Sequence, residues 1–171
     1  LSIGMAATAL QIASSTPASG IATHDIPPVA LAAYQSAAAD GCDSLSWTVL
    51  AGIGKVESNH GRYAGATLLP NGDTSPAIYG PVLDGTGIGG NRTAHPIGPW
   101  RGQWGLAGEY QQALGPLQFL PATFARYTHS PKATPHNIND AARAAVAYLC
   151  DGGITDIAEA IRRYNNSRAY V

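Results

Sequence analysis

Glutamate is rare in this chain of 171 residues; Glu57, Glu109 and Glu159 are the only three. Glu159 shares a stretch of helical spacing with Arg162 and Arg163, the setting of an exposed, ion-paired side chain. Glu109 falls in a loop. Glu57 differs, because it lies on the apolar stripe set by Trp47, Leu50, Ile53 and Gly54, close to the negative end of the helix that this spacing predicts. A carboxyl group there resists ionisation, through loss of solvent and through the helix dipole. A glutamic acid that keeps its proton near neutral pH is the tool needed to protonate a departing glycosidic oxygen. Periodicity leaves a second reading open, a structural carboxylate neutralised by Lys55 or Arg62.

Other chemistry fits the residues less well. Glu57-Ser58-Asn59-His60 contains Glu-x-x-His, but di-metal sites of that kind need a second copy and further carboxylates. His24, His95, His129 and His136 lack ligand spacing, and Asn71-Gly72-Asp73 and Asp84-Gly85 read as turns. No metal and no cofactor is expected. The run Gly85-Thr86-Gly87-Ile88-Gly89-Gly90 satisfies G-x-G-x-x-G in form, yet no strand precedes it and Asn91-Arg92-Thr93 stands where a helix should begin. No G-x-S-x-G elbow is present. Two segments do carry sugar-gripping groups. Gly115-Pro116-Leu117-Gln118-Phe119-Leu120-Pro121 is a stiff turn that presents one amide between apolar anchors. Arg163-Tyr164-Asn165-Asn166-Ser167-Arg168-Ala169-Tyr170 supplies aromatic faces and amides.

Helices must position these groups. Pro27-Pro28 opens one that runs through Ala30, Ala33, Tyr34 and Ala37 until Asp40-Gly41. A second starts from a Ser44 cap and stops at Asn59-His60-Gly61. Pro121 starts a third, carrying Phe124 and Tyr127. Asn139-Asp140 caps a fourth with Ala142, Val146, Leu149 and Cys150 on one face, and Thr155-Asp156 caps a fifth through Ile157, Ala160, Ile161 and Tyr164. Thirteen of the 20 glycines and five of the 12 prolines lie between Gly61 and Gly115. A loop that long is functional or disordered, and its aromatics, Tyr63, Tyr79, Trp100, Trp104 and Tyr110, argue for order. Ala77–Leu83 can supply a short strand in a hairpin. The fold class expected is mainly α, with a long Gly/Pro-rich loop region and at most a small β-hairpin.

Composition bounds the rest. A content of 45% hydrophobic and 12% charged residues suits one globular domain. Ten Lys and Arg against eleven Asp and Glu leave a formal charge of -1, so no basic field exists to collect nucleic acid. No apolar run reaches the roughly 18 to 20 residues of a membrane span. Residues 1–22 read as an amino-terminal arm or linker, with an export-leader remnant as the alternative, and residues 23–171 as the domain. Cys42 and Cys150 are expected to form a disulfide in an oxidising compartment, two buried free thiols being the alternative.

Taken in order, Glu57-Ser58-Asn59-His60-Gly61-Arg62, Gly115 to Pro121 and Tyr164 to Tyr170 resemble the lytic transglycosylases of the membrane-bound type B group, most of all their actinobacterial branch. The likeness covers Pro27 to Val171, and the positions of Cys42 and Cys150 resemble that branch too. The resemblance implies a lysozyme-like helical domain that cleaves the β-1,4 bond between MurNAc and GlcNAc in peptidoglycan without water, leaving a 1,6-anhydro-MurNAc end. It implies Glu57 as the single catalytic acid and base, and Ser58, Gln118, Tyr164, Asn165 and Tyr170 as substrate-binding residues of the groove. Glu109 and Tyr127 are candidate supporting residues. The implied partner is a peptidoglycan glycan strand, met by a monomer that is secreted or held in the cell envelope, or by a phage-borne wall-degrading domain.

The chain departs from that pattern at two places. Gln111-Gln112 stands where relatives often carry an acidic residue, and Ser130 to His136 replaces an Asp-rich turn. One carboxylate is nevertheless enough for attack by the sugar's own 6-hydroxyl, whereas hydrolytic glycosidases need two. A hydrolytic muramidase and a non-catalytic peptidoglycan-binding module are the alternatives.

Overall fold

The structure, a computed structural model, describes residues 24–88, 91–153 and 156–165. The arm or linker expected over residues 1–22 lies outside the described residues. Five α-helices are found among them: α1 (Pro28–Ala39), α2 (Trp47–Ser58), α3 (Pro121–Tyr127), α4 (Ile138–Cys150) and α5 (Ile157–Tyr164). Four short strands accompany them, β1 (Thr67–Leu68), β2 (Thr74–Ser75), β3 (Tyr79–Val82) and β4 (Gln112–Leu114). The fold is mainly helical with two small antiparallel sheets, β1 with β2 and β3 with β4.

The helix starts follow local chemistry. Pro28 and Pro121 occupy first helical positions, where a missing amide proton costs nothing. Two caps differ from the sequence reading. Ser46, not Ser44, caps α2 by accepting from the Thr48 amide at 3.3 Å; Ser44 is excluded because Leu45 turns inward to the core and its amide bonds Cys42 O at 2.9 Å. Asn137 caps α4, accepting from the amides of Asn139 at 2.9 Å and Asp140 at 3.4 Å, which places both of those residues inside the first turn. Asp156 caps α5 as expected.

Alanine explains how α1 and α4 pack. Ala30, Ala33 and Ala37 of α1 and Ala141, Ala142, Ala144 and Ala145 of α4 are buried, so the two helices approach closely. Tyr34, Leu50, Phe124, Ile138 and Leu149 fill the core around that contact, and Leu117 and Phe119 enter it from the turn before α3. A smaller cluster of Ile97, Leu106 and Leu114 lies under the long loop, covered by Tyr79, Trp100 and Trp104. Trp100 stacks on Trp104 at 6.0 Å, and Trp104 meets Phe124 edge-on at 5.4 Å. The loop is therefore ordered by its aromatics, which join it to the helical core.

The strand expected over Ala77–Leu83 is present as β3, but its partner is β4 at the far end of the loop. The local hairpin is instead β1–β2, turning through Asn71-Gly72-Asp73. The β3–β4 register shifts between Tyr79 and Val82, and just past β3 the chain also pairs locally, through an antiparallel bridge between Asp84 and Ala94 and the His95 amide donating to Leu83 O at 2.8 Å.

Cys42 and Cys150 form the disulfide, with Cα atoms 5.9 Å apart across a separation of 108 residues. It ties the α1–α2 connection to the end of α4. Among the described residues no helix is long and apolar enough to cross a membrane. In the chain-entropy account a loop of this length gains about 4 to 5 kcal/mol when closed. Replacing both cysteines by alanine is expected to lower unfolding stability by about 2 to 5 kcal/mol, measured by denaturant titration of the two proteins side by side.

Candidate active site

The end of α2 is built by three successive left-handed residues, Asn59 at φ 52°, His60 at φ 59° and Gly61 at φ 80°. For the two that carry side chains this conformation costs about 1 to 2 kcal/mol each, and the surroundings offset it. The His60 amide closes the helix on Gly54 O at 2.8 Å. Its ring, 2% exposed, shares a hydrogen bond with the Tyr34 hydroxyl at 3.3 Å. Gly54 makes room for that pair, because a Cβ there would sit 2.0 Å from the Tyr34 hydroxyl.

Glu57, half-buried, is the penultimate residue of α2. The cations weighed as its neutralisers both bond Asp25. Lys55 Nζ lies 2.5 Å from Asp25 Oδ2, and Arg62 Nη2 lies 3.2 Å from Oδ1 and 2.9 Å from the Asp25 carbonyl. The hydrogen bonds from Lys55 and Arg62 hold the Asp25 carboxyl below the usual carboxylate range. Arg62 Nε also donates to Asn59 O at 2.8 Å, so this side chain braces the helix end.

Described residues of all three sequence motifs meet at one turn, Tyr164 alone making the contact for the third. Ser58 Oγ donates to Pro116 O at 2.6 Å and accepts from the Gly61 amide at 2.8 Å. The Tyr164 hydroxyl, arriving from α5, donates to the next carbonyl, Leu117 O, at 2.7 Å. Gly115 opens the turn at φ 74°, with its Cα so close to Pro135 that a Cβ would stand 1.7 Å from the Pro135 carbonyl oxygen. Gln118 closes it at φ 51°, and its side-chain amide donates back to Gly115 O at 2.8 Å. A non-glycine residue held left-handed at the centre of such a junction is the kind of stored strain that marks functional sites.

The structure thus brings Ser58, Gln118 and Tyr164 together at this turn, with Glu57 preceding Ser58 on α2 and half-buried Asn165 ending α5 next to Tyr164. Ser58, 2% exposed, makes both of its side-chain hydrogen bonds among the described residues to backbone and braces the frame of the site. Tyr127 lies further out. Its hydroxyl donates to Asp151 Oδ2 at 2.5 Å, which raises the phenol pKa, and its ring reaches Tyr164 only through Tyr148. Glu109 is exposed on the loop, where its carbonyl accepts from the Ile97 amide at 2.9 Å. Tyr170 lies outside the described residues.

Several neighbours escaped the sequence reading. Gln112 Nε2 donates to Gly80 O at 2.8 Å and Gln111 Nε2 to Pro96 O at 2.9 Å, so both side chains work as donors, a task no carboxylate performs. Gly80 in turn packs under Gln118, whose Oε1 would be 2.4 Å from a Cβ at that position. His136 pins the loop wall: its Nε2 donates to Trp104 O at 3.1 Å, and the Tyr79 hydroxyl donates to the same oxygen at 3.0 Å. Nothing in sequence spacing signals these long-range pairs. Compared with protein-family models, with curated proteins and with solved structures, the chain matches none.

Two measurements probe this frame. Ser58→Ala leaves the buried Pro116 carbonyl and Gly61 amide without that partner and is expected to cost about 1 to 3 kcal/mol, read by thermal and denaturant unfolding. Acidification is the second. Burial pushes His60 from 6.5 down to about 4 and also lowers His136, so the unfolded chain takes up protons that the folded chain refuses. Stability from these rings is complete above about pH 6.5 and is lost as pH falls toward about 4. The stability-versus-pH slope in that window is expected to shrink in His60→Gln.

Proposed function

We propose that this chain is a peptidoglycan lytic transglycosylase in which Glu57 acts first as acid and then as base. Its carboxyl group gives a proton to the glycosidic oxygen as the bond from the MurNAc anomeric carbon breaks. The carboxylate then takes the proton of that sugar's 6-hydroxyl, whose oxygen bonds to the anomeric carbon. The proton count balances without water, and the 1,6-anhydro-MurNAc end follows. Because the attacking hydroxyl is tethered to the reacting ring, the step has the advantage of an intramolecular reaction.

The observation that carries this reading is the convergence of the Glu57-Ser58, Gly115–Gln118 and Tyr164 segments through hydrogen bonds to two consecutive carbonyls, Pro116 O at 2.6 Å and Leu117 O at 2.7 Å. Those segments lie far apart in the chain, and the half-buried Glu57 immediately precedes Ser58, which supports a single-carboxylate reading. The disulfide supports an extracytoplasmic setting, where such bonds persist and where a wall polymer is met.

The test is digestion of purified peptidoglycan with mass analysis of the new ends. The expected products are anhydro-muropeptides, one water lighter than hydrolysed ones. Glu57→Gln, which keeps the shape and removes the transferable proton, is expected to slow release by at least about a hundredfold. Undiminished release by that variant, or ends bearing the added water, overturns the assignment.

A further inference from the structure

On the exposed side of α2 a cavity of about 310 Å³ lies between that helix and the Asp25-Ile26 segment. Neither Glu57 nor any residue of the Gly115–Pro121 turn lines it, so it stands apart from the candidate active site. Gly52 forms part of its wall. A glycine inside a helix costs stability relative to alanine, and the two glycines of α2 differ in what justifies that cost. Gly54 makes room for Tyr34 and His60, whereas a Cβ at Gly52 would meet nothing within 4 Å. Packing among the described residues gives no reason for the missing side chain; a ligand brought close to the backbone does.

One polar group bordering the cavity lacks a partner. His60, 2% exposed, is part of the lining. The fully buried Tyr34 hydroxyl has no acceptor among the described residues except His60 Nδ1 at 3.3 Å, so it donates there and the ring proton stays on Nε2. Burial, with Arg62 and Lys55 nearby, keeps the ring neutral. Nε2–H is therefore a neutral donor with no acceptor among the described residues. It is not sealed in, because His136 Nδ1 is the only side-chain polar atom among the described residues that is buried without a partner; the open space that His60 reaches is the cavity. Trp47, Ile26 and Ala51 supply an apolar wall. At the rim, Lys55 Nζ bonds Asp25 Oδ2 and Asn59 Oδ1 and keeps a third N–H. Lys55 and Arg62 exceed Asp25 by one charge, which favours an anion there, and each Asp25 oxygen retains a lone pair for a visiting N–H.

We propose that this cavity binds the carboxy-terminal residue of a peptide. The carboxylate accepts from His60 Nε2 and Lys55 Nζ, an apolar side chain lies against Trp47 and Ile26, the terminal amide N–H donates to Asp25, and the backbone passes over Gly52. A volume of about 310 Å³ stands at the small end of ligand pockets, which leaves room for one terminal residue and not for a longer run of chain. A free short peptide and a stem peptide of the wall share this chemistry. The proposal goes beyond the activity reading and does not depend on it.

The experiment titrates the full chain by heteronuclear NMR and follows the Trp47 indole, the Gly52 amide and the His60 ring. The probes are N-acetyl-alanyl-alanine and N-acetyl-alanyl-phenylalanine, their carboxy-terminal amides, and soluble glycan fragments with and without stem peptides. The acids are expected to shift all three signals together. The amides are expected to bind at least about tenfold more weakly, and Lys55→Met to weaken binding of the acids by about tenfold, the worth of a hydrogen bond to a charged group. Gly52→Leu fills the open space with a better helix former, so it is expected to fold with a thermal midpoint at or above that of wild type and to lose the acids by at least about tenfold in affinity. Fragments that shift the same signals only when they carry stem peptides support the wall as the source, and shifts by the acids without any by the fragments support a free peptide. Amides that bind as tightly as the acids, acids that bind Gly52→Leu as they bind wild type, or no shift at Trp47 and Gly52 with any probe overturn the site.

Discussion

Two hydrogen bonds to adjacent carbonyls hold this molecule's candidate site together. Ser58 donates to Pro116 O at 2.6 Å from the end of one helix, and Tyr164 donates to Leu117 O at 2.7 Å from the end of another. Both carbonyls belong to a turn that cannot relax. Gly115 is pressed against Pro135, Gln118 is held left-handed, and Leu117 and Phe119 are sunk in the core on either side of it. A buried carbonyl must find a partner or cost free energy, so the turn selects the helix ends that can supply one. The backbone of Glu57 is held with it, because that residue precedes Ser58 on the same helix.

The surroundings of that turn distribute the strain. Three left-handed residues end α2, and they are tolerated because His60 fills a niche against Tyr34 that Gly54 leaves open. Asp25 collects Lys55 and Arg62 on the surface. Exposed ion pairs of this kind add little to stability, and their effect is to fix where two cations sit relative to the helix end. On the other side, the Trp104 carbonyl collects the Tyr79 hydroxyl and His136, which fastens the long loop to the start of α4.

Helices were the part of the fold most open to reading, because alanine-rich and amphipathic periodicity, Pro at first positions and the Asn59-His60-Gly61 stop are local signals. Cap identity was read two residues off at Ser46 and Asn137, since Ser, Asn and Asp neighbours compete for the same role and tertiary burial of Leu45 decides between them. Loop order was inferable from its tryptophans, whereas the pairing of β3 with β4 was not, as it depends on contacts across the whole loop. Within the candidate site, Glu57, Gln118 and Tyr164 stood out by type and spacing. The bracing role of Ser58 did not, because a serine next to a glutamate carries no sign of which way its hydroxyl faces. Tyr148 was silent for the same reason, being an ordinary residue whose neighbours come from distant segments, and Gln112 stood out only as a departure, with no sign of the Gly80 carbonyl it would bond.

The central claim is that one carboxyl group and the sugar's own hydroxyl suffice, with no water entering the bond. Digestion of peptidoglycan in water enriched in heavy oxygen tests this most directly, read by mass at the newly formed muramyl ends. The account predicts new ends that carry no label. Incorporation of one labelled oxygen for each bond broken, or the absence of any cleavage by the intact protein, would contradict it.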